Sequence, residues 1–173
     1  MRSYTHHLTV GVLAFSVFVS MRGFADSPPP DQYVVEDAED LDADDYLDTV
    51  IASPTGIDTI VTPGEVAVYS GADGLLNVKY LGLASGDRFG ESVNVKWDLN
   101  ADGYLDLIVG APGEAGGAVY VFLGPFNRDQ TLAVSAIDAY MYVPNPDPSA
   151  FDFGMLVGGS PDVDGDGVPD IVV

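Results

Sequence analysis

The sequence predicts an all-β fold built from sheets stacked face to face, and three observations carry that prediction. Short β-branched runs of four to seven residues are separated by Gly and Pro turn signals. The pattern recurs with a period of about sixty residues, the mark of a repeat architecture. Several runs, residues 118–123 above all, are apolar at every position instead of alternating. A strand of that kind is buried on both faces, which one sheet layer cannot provide and stacked sheets can.

The repeat shows most clearly in three acidic segments. Asp40, Asp42, Asp44 and Asp48 align with Asp98, Asn100, Asp102 and Asp106, and with Asp162, Asp164, Asp166 and Asp170. Their first residues lie 58 and 64 positions apart. Phe89 stands nine residues before Asp98 and Phe153 nine before Asp162, each followed by a glycine, Gly90 or Gly154. Residues 64–71 match 117–124 at a constant offset of 53, with Gly64, Gly71, Gly117 and Gly124 at the ends. Several features in one order argue against chance.

Each acidic loop leads into a strand-forming run: Thr49, Val50 and Ile51, then Leu107, Ile108 and Val109, then Ile171, Val172 and Val173. Turn residues follow, Ser53 and Pro54 in the first unit and Gly110, Ala111, Pro112 and Gly113 in the second. Residues 131–142 are rich in Ala and admit a helical reading, but Tyr140, Tyr142 and Val143 favour a strand there too. Phe89 and Phe153 read as core anchors, each followed by a position where a side chain would clash.

On Phe89 and Gly90, on Gly110, Ala111 and Pro112, and on the acidic loop between them, the chain resembles the FG-GAP repeat. That repeat occurs in integrin α-subunit head domains and in many secreted bacterial proteins. The resemblance implies a partial β-propeller in which each repeat is a four-stranded blade. It covers about two and a third repeats, near residues 26–82, 83–146 and 147–173. The first repeat departs from the pattern, with Asp31 where Phe belongs and Ala52, Ser53 and Pro54 in place of Gly-Ala-Pro, so its blade is expected to be incomplete or poorly ordered. Propellers need four to eight blades to bury their faces. The sequence is therefore read as a truncated chain.

Residues 1–25 read as a secretory signal peptide. Arg2 gives the positive start, residues 8–20 the apolar stretch, and Gly23 and Ala25 the small residues before a cut. The apolar run is short for a membrane span, and an uncleaved anchor is the plain alternative. Cleavage leaves no membrane span in the mature chain and removes His6 and His7. The chain carries 27 acidic and 6 basic residues and no cysteine. Its field repels phosphate backbones, which argues against nucleic-acid partners. Without His or Cys after the leader, histidine triads, thiol nucleophiles and thiolate metal sites are excluded.

The acidic loops suit a divalent ion. Oxygens at positions one, three, five, seven and nine converge if the chain turns sharply at position six, with position seven offering its carbonyl. The candidate ligands are Asp40, Asp42, Asp44, the Tyr46 carbonyl and Asp48; Asp98, Asn100, Asp102, the Tyr104 carbonyl and Asp106; and Asp162, Asp164, Asp166, the Val168 carbonyl and Asp170. Gly103 and Gly167 stand at the turn, whereas the first loop has Asp45, at a cost on the order of 1 kcal/mol, which ranks that site weakest. An all-oxygen set in a flexible loop favours Ca²⁺ over Mg²⁺. Position twelve is Val109 or Val173 inside a strand, so an EF-hand does not fit. The resemblance implies instead a calcium loop in the hairpin joining the first two strands of a blade. A solvated acidic turn without metal is the simpler alternative, and the shared register weighs against it most in the second and third loops.

The functional expectation is an exported, calcium-binding module, secreted or at the cell surface, that recognises an extracellular protein or polysaccharide in an adhesive role. Residues 53–64, 110–117 and 143–151 are the candidate recognition loops. The alternative is a calcium-stabilised part of a secreted hydrolase or polysaccharide lyase. No catalytic residue is assigned, and no nucleophile-elbow, zincin or phosphate-loop motif occurs.

Overall fold

Val, Ile and Tyr concentrate in the runs that become strands, because branched and aromatic side chains fit a pleated surface. The computed structural model describes residues 34–54, 63–114, 116–126, 130–133, 141–144 and 152–173, the backbone alone at 34–38, 130–133 and 141–144. The described residues contain strands and turns and no helix. The leader and parts of the candidate recognition loops lie outside them.

Three sheets follow one another along the chain. The first contains β1 (Val34–Glu39), β2 (Asp48–Ser53), β3 (Glu65–Tyr69) and β4 (Leu76–Leu81) in antiparallel order. The second contains β5 (Ser92–Trp97), β6 (Asp106–Ala111), β7 (Ala118–Phe122) and β9 (Met141–Pro144), also antiparallel. Between β7 and β9 in sequence, β8 (Gln130–Ala133) adds to the β4 edge in parallel. The third sheet is the hairpin of β10 (Gly158–Ser160) and β11 (Asp170–Val172). Residues 130–133 and 141–144 are thus strands, as the tyrosines suggested, while residues 134–140 lie outside the described residues.

The first unit is not the incomplete blade expected from its missing Phe-Gly pair, since all four of its strands are present. The reason lies in what that pair does. Phe89 donates its amide to the Pro63 carbonyl at 3.3 Å, and a Cβ on Gly64 or Gly82 would overlap Phe89. A Cβ on Gly90 would press on Val66 and Ala52. Phe89 and Gly90 therefore seal the sheet that precedes them. Gly154 repeats this against the second sheet, where Gly117 bridges Phe153 and a Cβ on Gly154 would overlap the Ala118 carbonyl. A missing pair at residue 31 leaves the first sheet's own strand pairing untouched.

Two apolar layers result. One cluster joins Val50, Val66, Val68, Val78 and Tyr80 of the first sheet to Val93, Val95, Leu107, Val109, Tyr120 and Phe122 of the second. Tyr80 stacks on Phe122 with ring centroids 4.0 Å apart, and Phe89 meets Tyr120 edge-on at 5.5 Å. A second cluster, Ile108, Val119 and Val157, lies on the opposite face of β6 and β7. Leu99, Phe153 and Ile171 pack against it. Every residue of β6 and β7 is buried, which accounts for the unbroken apolar run at 118–122.

Phe89 is 1% exposed and touches the cores of both sheets. Phe89→Ala is expected to cost about 3–5 kcal/mol in chemical denaturation. A loss under about 1 kcal/mol would mean that the sheets do not rely on this wedge.

Candidate metal centre

Residues 40–48 join β1 to β2, residues 98–106 join β5 to β6, and residues 162–170 join β10 to β11. Each acidic loop is thus the hairpin between the first two strands of its sheet. Ahead of the first two loops the strand register slips in the same way, between Glu36 and Glu39 and between Asn94 and Trp97. These bulges set the residue before each loop opposite the final aspartate, Glu39 against Asp48 and Trp97 against Asp106.

Inside the loops the carboxylates bind the chain's own amides in a common pattern. The position-one oxygens accept from positions five and six: Asp40 from Asp44 and Asp45, Asp98 from Asp102 and Gly103, and Asp162 from Asp166 and Gly167, all at 2.8–3.1 Å. The position-five oxygens accept from position seven, at 2.9 Å to the amides of Tyr46, Tyr104 and Val168. Position six is left-handed in every loop, with φ of 70° at Asp45, 94° at Gly103 and 93° at Gly167. Asp45 takes this conformation without losing the amide bond to Asp40, so the expected penalty does not distort the first loop. Position four is left-handed as well, at Ala43, Ala101 and Gly165. Sequence reading missed this second turn because alanine does not advertise it.

Position nine has a role beyond that of a candidate ligand. Asp48 and Asp106 are 0% exposed. Asp48 Oδ2 accepts from the Leu41 and Asp42 amides at 2.8 and 3.1 Å, and its Oδ1 from the Gly71 amide at 2.9 Å. Asp106 Oδ2 accepts from Leu99 at 2.7 Å and its Oδ1 from Gly124 at 3.0 Å. Asp170 Oδ2 accepts from Val163. Gly71 and Gly124 are the repeat's closing glycines. A Cβ on either would overlap the carbonyl of position eight, Leu47 or Leu105. Their recurrence was visible in the sequence, but not this partner. Burial pushes the Asp48 and Asp106 carboxyls above the usual 3.8, the amides of Gly71 and Leu41 on the first and of Gly124 and Leu99 on the second pull back, and nearby loop aspartates push up again.

The carboxylates of positions one, three and nine converge twice. One oxygen from each of Asp40, Asp42 and Asp48 lies within 4.8 Å of the others, and Asp162, Asp164 and Asp170 do the same. Oxygens 2.3–2.6 Å from one Ca²⁺ stand at most about 5 Å apart, so either trio fits a single coordination sphere. Asp48 has roughly four lone-pair sites and three amides upon it, which leaves one for an ion. Asp44 and Asp166 stand outside the trios. The second loop differs, because its position three is the amide Asn100, whose Nδ2 donates to Asp102 Oδ2 at 2.8 Å. Asp98, Asp102 and Asp106 form no such trio. Tyr46 and Tyr104 enter the network through their amides and leave their rings exposed.

Fold and loops together define an all-β repeat protein whose sheets each open with an acidic hairpin. An FG-GAP repeat model matches residues 89–122. The chain is 35% identical over 141 residues to Integrin alpha-PS5 of Drosophila melanogaster, covering 79% of this chain and 14% of that protein. It is 34% identical over 147 residues to Integrin alpha-5 of Xenopus laevis, covering 79% and 14%. Against Integrin alpha-6 of Gallus gallus it is 31% identical over 139 residues, covering 78% and 12%. Residues 89–122 thus match an FG-GAP repeat, a unit that forms β-propeller blades, and the chain is similar to integrin α subunits; its small antiparallel sheets are those of a partial β-propeller. It spans about one seventh of the length of these relatives.

Two outcomes are expected. Gly71→Ala should cost about 2–3 kcal/mol by breaking the amide bond to Asp48. Gly74→Ala, whose Cβ would meet open space, should cost only about 1 kcal/mol for its φ of 72°. Equal losses in thermal or chemical melts would contradict the anchor. Asp48 and Asp106 bind a proton more tightly folded than unfolded, so their stabilising contribution is fullest below pH 3.8 and falls as pH rises through the folded value. In chelator, Asp106→Asn should flatten the decline of unfolding free energy as pH rises above 3.8. An unchanged slope would count against it.

Proposed function

We propose that the chain is an extracytoplasmic recognition module whose blades are stabilised by calcium held in the acidic hairpins. The observation that carries this reading is the convergence of Asp40, Asp42 and Asp48, and again of Asp162, Asp164 and Asp170, within the span of one ion. Asp44 and the Tyr46 carbonyl complete the first ligand set, and Asp166 and the Val168 carbonyl the third. Asp98, Asn100, Asp102, the Tyr104 carbonyl and Asp106 form the second. In that set Asn100 supplies a neutral oxygen in place of a carboxylate.

The physics ties the ion to the fold. Three or more carboxylates gathered at one turn repel one another, and a divalent cation turns that repulsion into attraction. Binding to the folded state alone adds RT ln(1 + [Ca]/Kd), about 2.7 kcal/mol per site at a hundredfold excess. Extracellular modules hold calcium with Kd of roughly 10⁻⁴ to 10⁻³ M, so at that level the gain is nearer 1 kcal/mol per site. A signal peptide at residues 1–25 would deliver the chain to a compartment where calcium is plentiful. The likeness to integrin α subunits supports adhesion or macromolecular recognition as the task. An extracellular protein or polysaccharide is the ligand class that fits an acidic, rigid, loop-bearing scaffold.

EDTA should lower the melting temperature, and added calcium should restore it. Magnesium at the same concentration should restore less. A melting temperature indifferent to chelation would refute a structural metal.

A further inference from the structure

The first acidic loop has a partner outside its own hairpin. On β4 the register passes from Val68 opposite Val78 to Tyr69 opposite Leu76, which leaves Asn77 as the extra residue of a β-bulge. Bulges re-aim a side chain that regular pairing would direct elsewhere. Asn77 is 0% exposed, and its Nδ2 donates to Asp42 Oδ2 at 2.7 Å, across 35 residues of sequence. The amide head therefore rests on Asp42, one member of the carboxylate trio of Asp40, Asp42 and Asp48.

Two atoms at this contact are unsatisfied. Asp42 Oδ1 and Asn77 Oδ1 are both buried, and neither receives a hydrogen bond. Both are acceptors, so neither can satisfy the other. Buried polar atoms are seldom left in this state, and an unmatched pair of oxygens at one member of a carboxylate trio calls for a hydrogen-bond donor or a positive ion. A cation meets that need, as does a water donating to both oxygens, whereas an anion or an apolar group does not; the three gathered carboxylates favour the cation.

We propose that Asn77 is a further cation-binding residue of the first site, its Oδ1 joining Asp40, Asp42 and Asp48 in the coordination sphere of a divalent ion. The proposal rests on the calcium reading of the loops and extends it beyond the loop motif. The ion then ties the β1–β2 hairpin to β4, two strands further along the same sheet. The first site thereby gains a neutral oxygen from a strand, where the second loop carries its neutral oxygen within the loop at Asn100.

The test is a calcium chloride titration of the full chain, followed by the amide resonances of Ala43 and Asp45 for the first loop and of Ala101 and Gly165 for the others. In the wild type the Asn77 side-chain NH₂ signals should shift in step with Ala43 and Asp45. Asn77→Leu should raise the Kd read at the first loop about tenfold or more, as loss of a supporting ligand does at metal sites, and leave the other loops unchanged. Asn77→Asp, which keeps an oxygen at the same place, should bind within a few-fold of the wild type while melting lower in EDTA. If both variants melt lower but keep the wild-type Kd, Asn77 is merely structural and the proposal fails while the calcium reading stands. If Asn77→Leu does not fold, side-chain signals that stay still in the wild type as Ala43 and Asp45 titrate overturn the proposal alone. If no loop titrates in the wild type, both readings fall together.

Discussion

A buried carboxylate receiving amides from two directions is the constraint on which the first two blades depend. Asp48 holds the start of its own loop through Leu41 and the end of β3 through Gly71. Asp106 holds Leu99 and Gly124 in the same manner. Three strands of a blade are thereby fastened at one point, because the aspartate begins the second strand and its partners lie beside the first and third. Only a short side chain with acceptors at both corners can do this. Glutamate would overreach, and asparagine would set an N–H against another N–H. The glycines opposite follow from the same geometry, since a Cβ would collide with the carbonyl beside the aspartate.

Burying these anchors beside further aspartates raises the cost of the ionised state, as the upward displacement of both carboxyls shows. The loop carries its excess charge partly by turning backbone amides inward, through two left-handed residues per turn. What the amides leave unsatisfied is what the proposed cation would meet. Fold and ion affinity are in this sense two aspects of one arrangement: the anchor sets the strands, and the strands set the spacing of the oxygens.

Much of this was legible in the sequence, and what was not has physical causes. The one-three-five-nine spacing marked the loops because oxygens at that interval serve a single turn, and the hairpins lie where the spacing put them. Residues 118–122 showed burial on both faces through unbroken apolarity. Ala43 and Ala101, by contrast, adopt a left-handed turn that alanine does not signal, since the loop's hydrogen bonds impose it. Asn77 was invisible because its position depends on a register slip between β3 and β4. The first blade was misjudged because Phe-Gly was credited to the repeat that contains it. Phe89 and Gly90 in fact seal the sheet before them. Leu41 and Leu99, apolar at position two of their loops, were a signal left unread. Leu41 is buried in the first core and Leu99 packs on the second.

The overlap between neighbours has a consequence for anyone recombining such modules. Residues 83–86 form an exposed connector and look like the natural splice point. Cutting there would part Phe89 from the glycines that receive it and leave a groove on one piece and a bare aromatic ring on the other. A transferable cassette begins instead after Gly90, so that each donor sheet travels with the stopper supplied by its successor.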